Sequence, residues 1–228
     1  MIPFVNIHTH NHIDNKEVIS IQNIDIDNID NVDVSRFYSV GIHPWDVSQQ
    51  SLSKLSQILR FSDSQILKAI GECGLDRAGA GAGTRAGTGM FEIQRDVFKK
   101  QIELSEQYSK PLIIHAVRTY PDIIAIRKET KAKQPWIIHG FQGNEQSAEQ
   151  LLKHDGIYLS LGEILFRNEE RARRLLQIIP YDRLFLETDV AERSIIDIYE
   201  KTVSLSDVEM EKLRCDIFDN FVKIFGHI

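Results

Sequence analysis

Short apolar runs recur along the chain, each bounded by polar or glycine- and proline-containing stretches. Several of them stop at a residue able to hold a metal. Phe4-Val5-Asn6-Ile7 leads into His8 and His10, and the run from Ile66 to Gly71 leads into Glu72. Pro111–Ile114 ends at His115, Trp136–Ile138 at His139, and Leu184–Leu186 at Glu187-Thr188-Asp189. Runs this short read as strands buried on both faces, as in a parallel sheet. Val18–Ile21, Phe37–Val40 and Ile157–Leu161 are further candidates, for about eight strands in all. Helix-like stretches fall between them at Leu52–Leu59, Phe91–Ser105, Pro121–Lys128, Gln146–Leu152, Glu169–Ile178 and Asp207–Phe225. In the last, Met210, Leu213, Ile217, Phe221 and Ile224 form a core-facing stripe, with Ser206 expected as the N-cap. Alternating strands and helices predict an α/β fold, either a closed (β/α) barrel or an open doubly wound sheet. In a barrel all strand C-termini share one rim, which is where barrel enzymes carry their catalytic groups.

Two regions break the pattern. Asn23–Asp33 is acidic and asparagine-rich, too polar for a packed amphipathic helix, so one barrel helix is expected to be missing there. Ala78–Gly89 is nearly low-complexity and reads as a surface loop following Glu72. It lacks the GK[ST] ending of a phosphate-binding loop.

Length and composition narrow the classes. A chain of 228 residues fits one barrel domain spanning 1–228. No run approaches the roughly 18–20 apolar residues of a membrane span, and no export signal is visible. Two cysteines, Cys73 and Cys215, make no disulfide framework, so a cytoplasmic protein is expected. No membrane and no stable protein partner are expected. The net charge of −6 offers no basic field for nucleic acid, although two bound dications would reverse the local sign.

The candidate chemistry gathers at the strand ends. His8 and His10 point to the same side of an extended segment and can share one ion. Glu72, flanked by Gly71 and Gly74, can bridge two ions with one oxygen to each. Asp189, its acidity increased beside a dication, can both ligate and accept a proton from attacking water. His115 and His139 complete the imidazoles. His43, in Gly41-Ile42-His43-Pro44, is a candidate for supporting a ligand or touching substrate. Asp76 is placed to hydrogen-bond a liganding imidazole, and Arg118 to meet an anionic oxygen. Cys73 should point away from the ligands as inert packing.

Taken in order, His8-Thr9-His10, Gly41-Ile42-His43-Pro44, Ala69–Asp76, Ile113-Ile114-His115, Ile138-His139-Gly140-Phe141 and Leu186–Asp189 resemble the TatD-type deoxyribonucleases of the amidohydrolase superfamily. The resemblance covers nearly the whole chain. It implies a distorted TIM-type (β/α) barrel and divalent-metal-dependent hydrolysis, in known cases of DNA phosphodiesters from an end. It implies one metal on His8, His10, Glu72 and Asp189, and a second on Glu72, His115 and His139. Mixed imidazole and carboxylate ligation suits two divalent ions of zinc, manganese, iron or nickel, and the bridging carboxylate also admits magnesium. Asn6 departs from the family's aspartate. The basic loop that usually follows Glu-Thr-Asp is replaced by Val190–Ser194, and the segment from His12 to Tyr38 is short. DNA ends are the substrate this implies. The trimmed loop keeps open a small-molecule amide, ester or lactone hydrolase, and a non-catalytic metal-binding barrel is the third reading.

Overall fold

The computed structural model describes residues 2–11, 15–26, 32–47, 51–59, 65–78 and 85–226. Strands and helices follow one another as β1 (Phe4–Thr9), β2 (Val18–Asp25), β3 (Phe37–Gly41), α1 (Ser51–Ile58), β4 (Leu67–Asp76), α2 (Arg85–Tyr108), β5 (Leu112–Val117) and α3 (Tyr120–Thr130). They continue as β6 (Trp136–Ile138), α4 (Glu145–Leu152), β7 (Ile157–Leu161), α5 (Ile164–Arg167), α6 (Glu169–Ile178), β8 (Leu184–Leu186), α7 (Ile195–Leu205) and α8 (Met210–Phe225). Strand order in the sheet is chain order, β1 through β8. The pairs β1–β2, β3–β4, β4–β5 and β7–β8 are all parallel.

Among the described residues no α-helix lies between β1 and β2 or between β2 and β3. Part of the polar stretch expected to be irregular is strand, because β2 runs on to Asp25. Residues 27–31 of that stretch lie outside the described residues. The glycine-alanine tract also ends earlier than expected. Helix α2 starts at Arg85, and residues 79–84 lie outside the described residues. Met90 and Ile93 of α2 pack on a buried cluster. That packing carries the helix back through Gly87 and Gly89 against a propensity cost of about 1 kcal/mol each.

Packing divides the chain into two compact units, residues 1–22 with 137–228, and residues 23–136. In the second unit Val40, Ile42, Ile58, Leu67 and Val97 form the buried cluster between strands, α1 and α2. In the first unit α8 buries Leu213, Ile217, Phe221 and Phe225. Phe225 thus takes the place expected for Ile224, which is half-buried with Met210. Helix α7, unforeseen as a separate element, opens on a capping box between Ser194 and Asp197. Its Tyr199 stacks edge-on with Phe4 at 5.0 Å and accepts the Val5 N–H at 3.1 Å, tying α7 to β1. Ser206 closes α7 and does not cap α8, because its hydroxyl donates back to the Thr202 carbonyl at 2.8 Å.

Two register shifts fall where the candidate ligands lie. From Asn6 to Thr9, β1 advances three residues while β2 advances two, from Ser20 to Gln22. From Ile70 to Cys73, β4 advances three while β5 advances two, from Leu112 to Ile114. Such bulges bend a strand and re-aim side chains. One holds His8 and the other Glu72.

Candidate metal centre

Glu72 lies inside β4, not at a strand end: the ladder resumes beyond the bulge, with Cys73–Asp76 facing Ile114–Val117. Its amide N–H donates to Asn23 Oδ1 at 2.7 Å, and the same oxygen accepts from the Ser39 hydroxyl at 3.0 Å. Gly74 has φ +137°, and a Cβ there would sit 2.1 Å from the His115 carbonyl oxygen. The approach of β4 to His115 therefore requires glycine.

The side chains of this unit meet closely. His115 Nε2 lies 3.1 Å from Asp76 Oδ2, and its Nδ1 lies 2.7 Å from Glu72 Oε1. With the proton on Nε2, Nδ1 presents a lone pair to a carboxylate oxygen, and a cation held by both atoms satisfies them. His43 Nε2 comes within 3.3 Å of Glu72 Oε1 and 3.4 Å of His115 Nδ1. Distance alone makes His43 a ligand, but the proton inventory argues otherwise. The Trp45 amide N–H donates to His43 Nδ1 at 3.1 Å, so the neutral ring carries its proton on Nε2. That nitrogen is a donor towards Glu72 and has no lone pair for a metal.

Helix α2 holds the loop that carries His43. Gln101 clamps Ile42, accepting its N–H at 2.8 Å and donating to its carbonyl at 3.1 Å. Gln94 donates to the Pro44 carbonyl at 3.1 Å and accepts the Asp76 N–H at 3.0 Å. Both amides are buried, so each one fixes rather than samples its partners.

In the other unit, His8 Nε2 and His10 Nε2 lie 3.5 and 3.6 Å from Asp189 Oδ1. The two rings are 5.1 Å apart on one side of the strand, as the alternation along H-x-H requires. The end of β8 joins β1 through a bridge between Thr9 and Asp189. Asn6 reinforces this seam: its Nδ2 donates to the Thr188 hydroxyl at 2.9 Å and its Oδ1 accepts the Thr188 N–H at 3.1 Å. His139 packs 4.3 Å from His8, centroid to centroid. His139 Nδ1 faces Glu187 Oε1 at 3.3 Å, which leaves Nε2 as the metal-binding lone pair. Glu187 is fully buried; Oε1 also accepts the Gly140 N–H at 2.7 Å, while Oε2 has no hydrogen-bond partner among the described residues. Gly162 makes room for it, since a Cβ there would meet the Glu187 carbonyl oxygen at 2.8 Å.

The structure thus brings His8, His10, His139 and Asp189 together in one unit, and His43, Glu72, Asp76 and His115 together in the other. Imidazole and carboxylate donors in this mixture suit zinc, manganese or magnesium. Arg118 stands apart: it is exposed just past β5, with φ 58°, and joins no ion pair among the described residues. Cys73 is buried with its thiol donating to the Ile113 carbonyl at 3.5 Å, and burial, then the nearby Glu72 charge, push its pKa well up.

Glu187, Asn23, Gln94, Gln101 and Trp45 escaped the reading of the sequence. Glu187 had a signal, since two-residue spacing puts it on the same side of the chain as Asp189. Gln94 and Gln101, seven apart, fall on the face of α2 that buries Val97 and Phe98.

Comparison with known proteins gives the family and the fold. A family model described as TatD related DNase matches residues 25–226, and the chain belongs to that family. An uncharacterized metal-dependent hydrolase, YabD of Bacillus subtilis, is 32% identical over 67% of this chain and 58% of its own length. A 3'-5' ssDNA/RNA exonuclease TatD of Pectobacterium parmentieri is 30% identical over 66% of this chain and 56% of its own length. The chain therefore spans somewhat over half of these two curated relatives. Among solved structures, YJJV, a TatD homolog of Escherichia coli, superposes with TM-score 0.81 at 20% identity, covering 99% of this chain and 98% of that one. A TatD family hydrolase of Entamoeba histolytica gives 0.75 at 16% identity, covering 99% of each chain. The fold is the distorted TIM-type (β/α) barrel of this family, with the strands in chain order and the bridge between Thr9 and Asp189 joining the last to the first. Among the described residues no helix is long and apolar enough to cross a membrane.

Proposed function

We propose that the chain is a divalent-metal-dependent hydrolase acting on phosphodiester bonds at nucleic-acid ends. The observation that carries this is the pair of carboxylate-backed imidazoles. His115 is held by Asp76 and His139 by Glu187, each with one ring nitrogen committed to a carboxylate and the other turned towards further imidazole and carboxylate donors. The proposed ligands are His8, His10, Glu72, His115, His139 and Asp189, sharing two ions. When bound, such ions polarise a phosphoryl oxygen and increase the acidity of water at neutral pH. Asp189 takes the proton of the attacking water, and His43 Nε2–H donates to Glu72 or to a substrate oxygen. A strand end as substrate accords with the name of the Pectobacterium relative. A reducing, cytoplasmic setting belongs to the same reading, both cysteines being free thiols.

A second reading, a small-molecule amide, ester or lactone hydrolase, draws support from the loop after Asp189. Its one basic side chain, Arg193, is paired with Glu163 at 3.0 Å and lies over the Phe166 ring at 4.1 Å, away from phosphate duty. The deciding experiment measures metal stoichiometry, then turnover on end-labelled oligonucleotides, a simple phosphodiester, and a panel of esters, amides and lactones. Two ions per chain with stepwise shortening of the oligonucleotide is the expected result. Turnover confined to carbonyl substrates moves the chain to the second reading. Metal binding without turnover on any substrate makes it a binding barrel.

A further inference from the structure

Trp45 is the one aromatic among the large hydrophobic side chains exposed in the described residues, at 65% exposure. An indole left in water normally buries at least one face. This one is held in place. Its ring N–H donates to Asp76 Oδ2 at 2.7 Å, and Asp76 is itself fixed, accepting the Ala78 N–H at 2.6 Å. Its backbone N–H donates to His43 Nδ1, and the carbonyl of the preceding Pro44 is gripped by Gln94. The indole meets the His43 ring edge-on at 5.0 Å and lies 6.2 Å from the His115 ring. A rigid aromatic surface therefore stands beside the cluster of His43, Glu72 and His115, tied by its edge to the carboxylate that supports His115.

We propose that Trp45 is a stacking platform for the terminal nucleobase of the substrate. The proposal rests on the phosphodiesterase reading above and names its substrate contact. Stacking on an exposed indole is tolerant of base identity, because every base has a π-face. It also offers a strand end a handle independent of phosphate charge. The ring is already fixed before substrate arrives, so little ordering entropy opposes the contact.

The test compares binding of a deoxynucleoside monophosphate with that of deoxyribose phosphate, which lacks the base, to the metal-loaded chain by calorimetry. The parent should bind the nucleotide about 10-fold more tightly than the baseless sugar phosphate, as for one stacked base. Trp45→Ala should erase that difference while leaving sugar-phosphate affinity within about twofold. Trp45→Phe keeps a stacking face but loses the N–H to Asp76, and should retain most of the preference. Nucleotide should quench the exposed Trp45 emission, the other tryptophan, Trp136, being fully buried. Equal losses for both ligands in Trp45→Ala, or equal loss in the Phe and Ala variants, would show that Trp45 acts only through Asp76 and overturn the proposal. A parent that binds both ligands equally overturns it too. A base preference that depends on Trp45, in a chain that cleaves no phosphodiester, sustains the platform and sinks the hydrolytic reading alone.

Discussion

Replacing Glu187 with glutamine should separate function from stability. In the native chain Oε1 serves two donors, the Gly140 N–H at 2.7 Å and His139 Nδ1 at 3.3 Å, and Oε2 is buried without a hydrogen-bond partner among the described residues. Glutamine has the same shape, so its amide oxygen can keep both contacts and the cavity is unchanged. What disappears is the negative charge behind the imidazole. Loss of such a carboxylate behind a liganding histidine typically costs 10–100-fold in metal affinity or activity, which is about 1.4–2.7 kcal/mol. Stability should move the other way or not at all, because a neutral amide is cheaper to bury than a carboxylate with a bare oxygen. Glu187→Ala is the contrasting variant: it leaves the Gly140 N–H unpaired, at about 1–3 kcal/mol. The measurements are metal titrations with turnover at saturating metal, and urea unfolding in chelator, so that metal binding does not contribute to apparent stability. Glu187→Gln with parental metal affinity and turnover would refute the role assigned to its charge. A loss of activity matched by a fall in the metal-free unfolding midpoint would reduce Glu187 to a packing residue.

Asp189→Asn should lower turnover by about two to four orders of magnitude at saturating metal, the range for a lost general base; turnover within threefold of the parent rules that role out. Chelation should abolish hydrolysis and leave the circular dichroism spectrum nearly unchanged, because the buried clusters of both units are apolar and independent of the ligands; cooperative unfolding on chelation would make the metals structural. Tyr199→Phe should destabilise by about 1–3 kcal/mol, since the buried Val5 N–H loses its phenol acceptor, while turnover at saturating metal holds. Burial raises the pKa of the Tyr199 phenol above its ordinary 10.0, with the bond to Val5 opposing. The folded state thus holds this proton more tightly than the unfolded one. Its contribution is complete below pH 10 and falls as pH rises beyond, so the gap between parent and Tyr199→Phe in urea midpoint should narrow from pH 8 to pH 11. A gap that widens over that interval refutes the assignment.

Much of the architecture was legible in the chain because burial on both faces leaves an uninterrupted apolar run. Trp136–Ile138, Ile157–Leu161 and Leu184–Leu186 begin and end in the structure where hydrophobicity alone placed them. The chemistry of the candidate ligands was legible too, since His8 and His10 announce themselves by spacing and the others by following such runs. Bulges were not. Nothing in Ile70-Gly71-Glu72-Cys73 says that an extra residue is accommodated there, so hydrophobicity alone puts Glu72 at a strand end, whereas β4 continues to Asp76. Helix limits followed packing rather than local preference: α2 overrides its glycines to seat Met90 and Ile93, and Ser206 turns back to α7.

Which residue types stand at the turns of the pattern can be read from the chain alone, because periodicity and chemistry are local properties. Tertiary structure alone decided the proton positions and the supports. That the Trp45 indole N–H donates to Asp76, that Gln94 and Gln101 of α2 grip Ile42, Pro44 and Asp76, and that Glu187 backs His139 are pairings between distant segments. No local rule encodes them, since a buried amide or carboxylate is fixed by whichever donors the fold delivers to it.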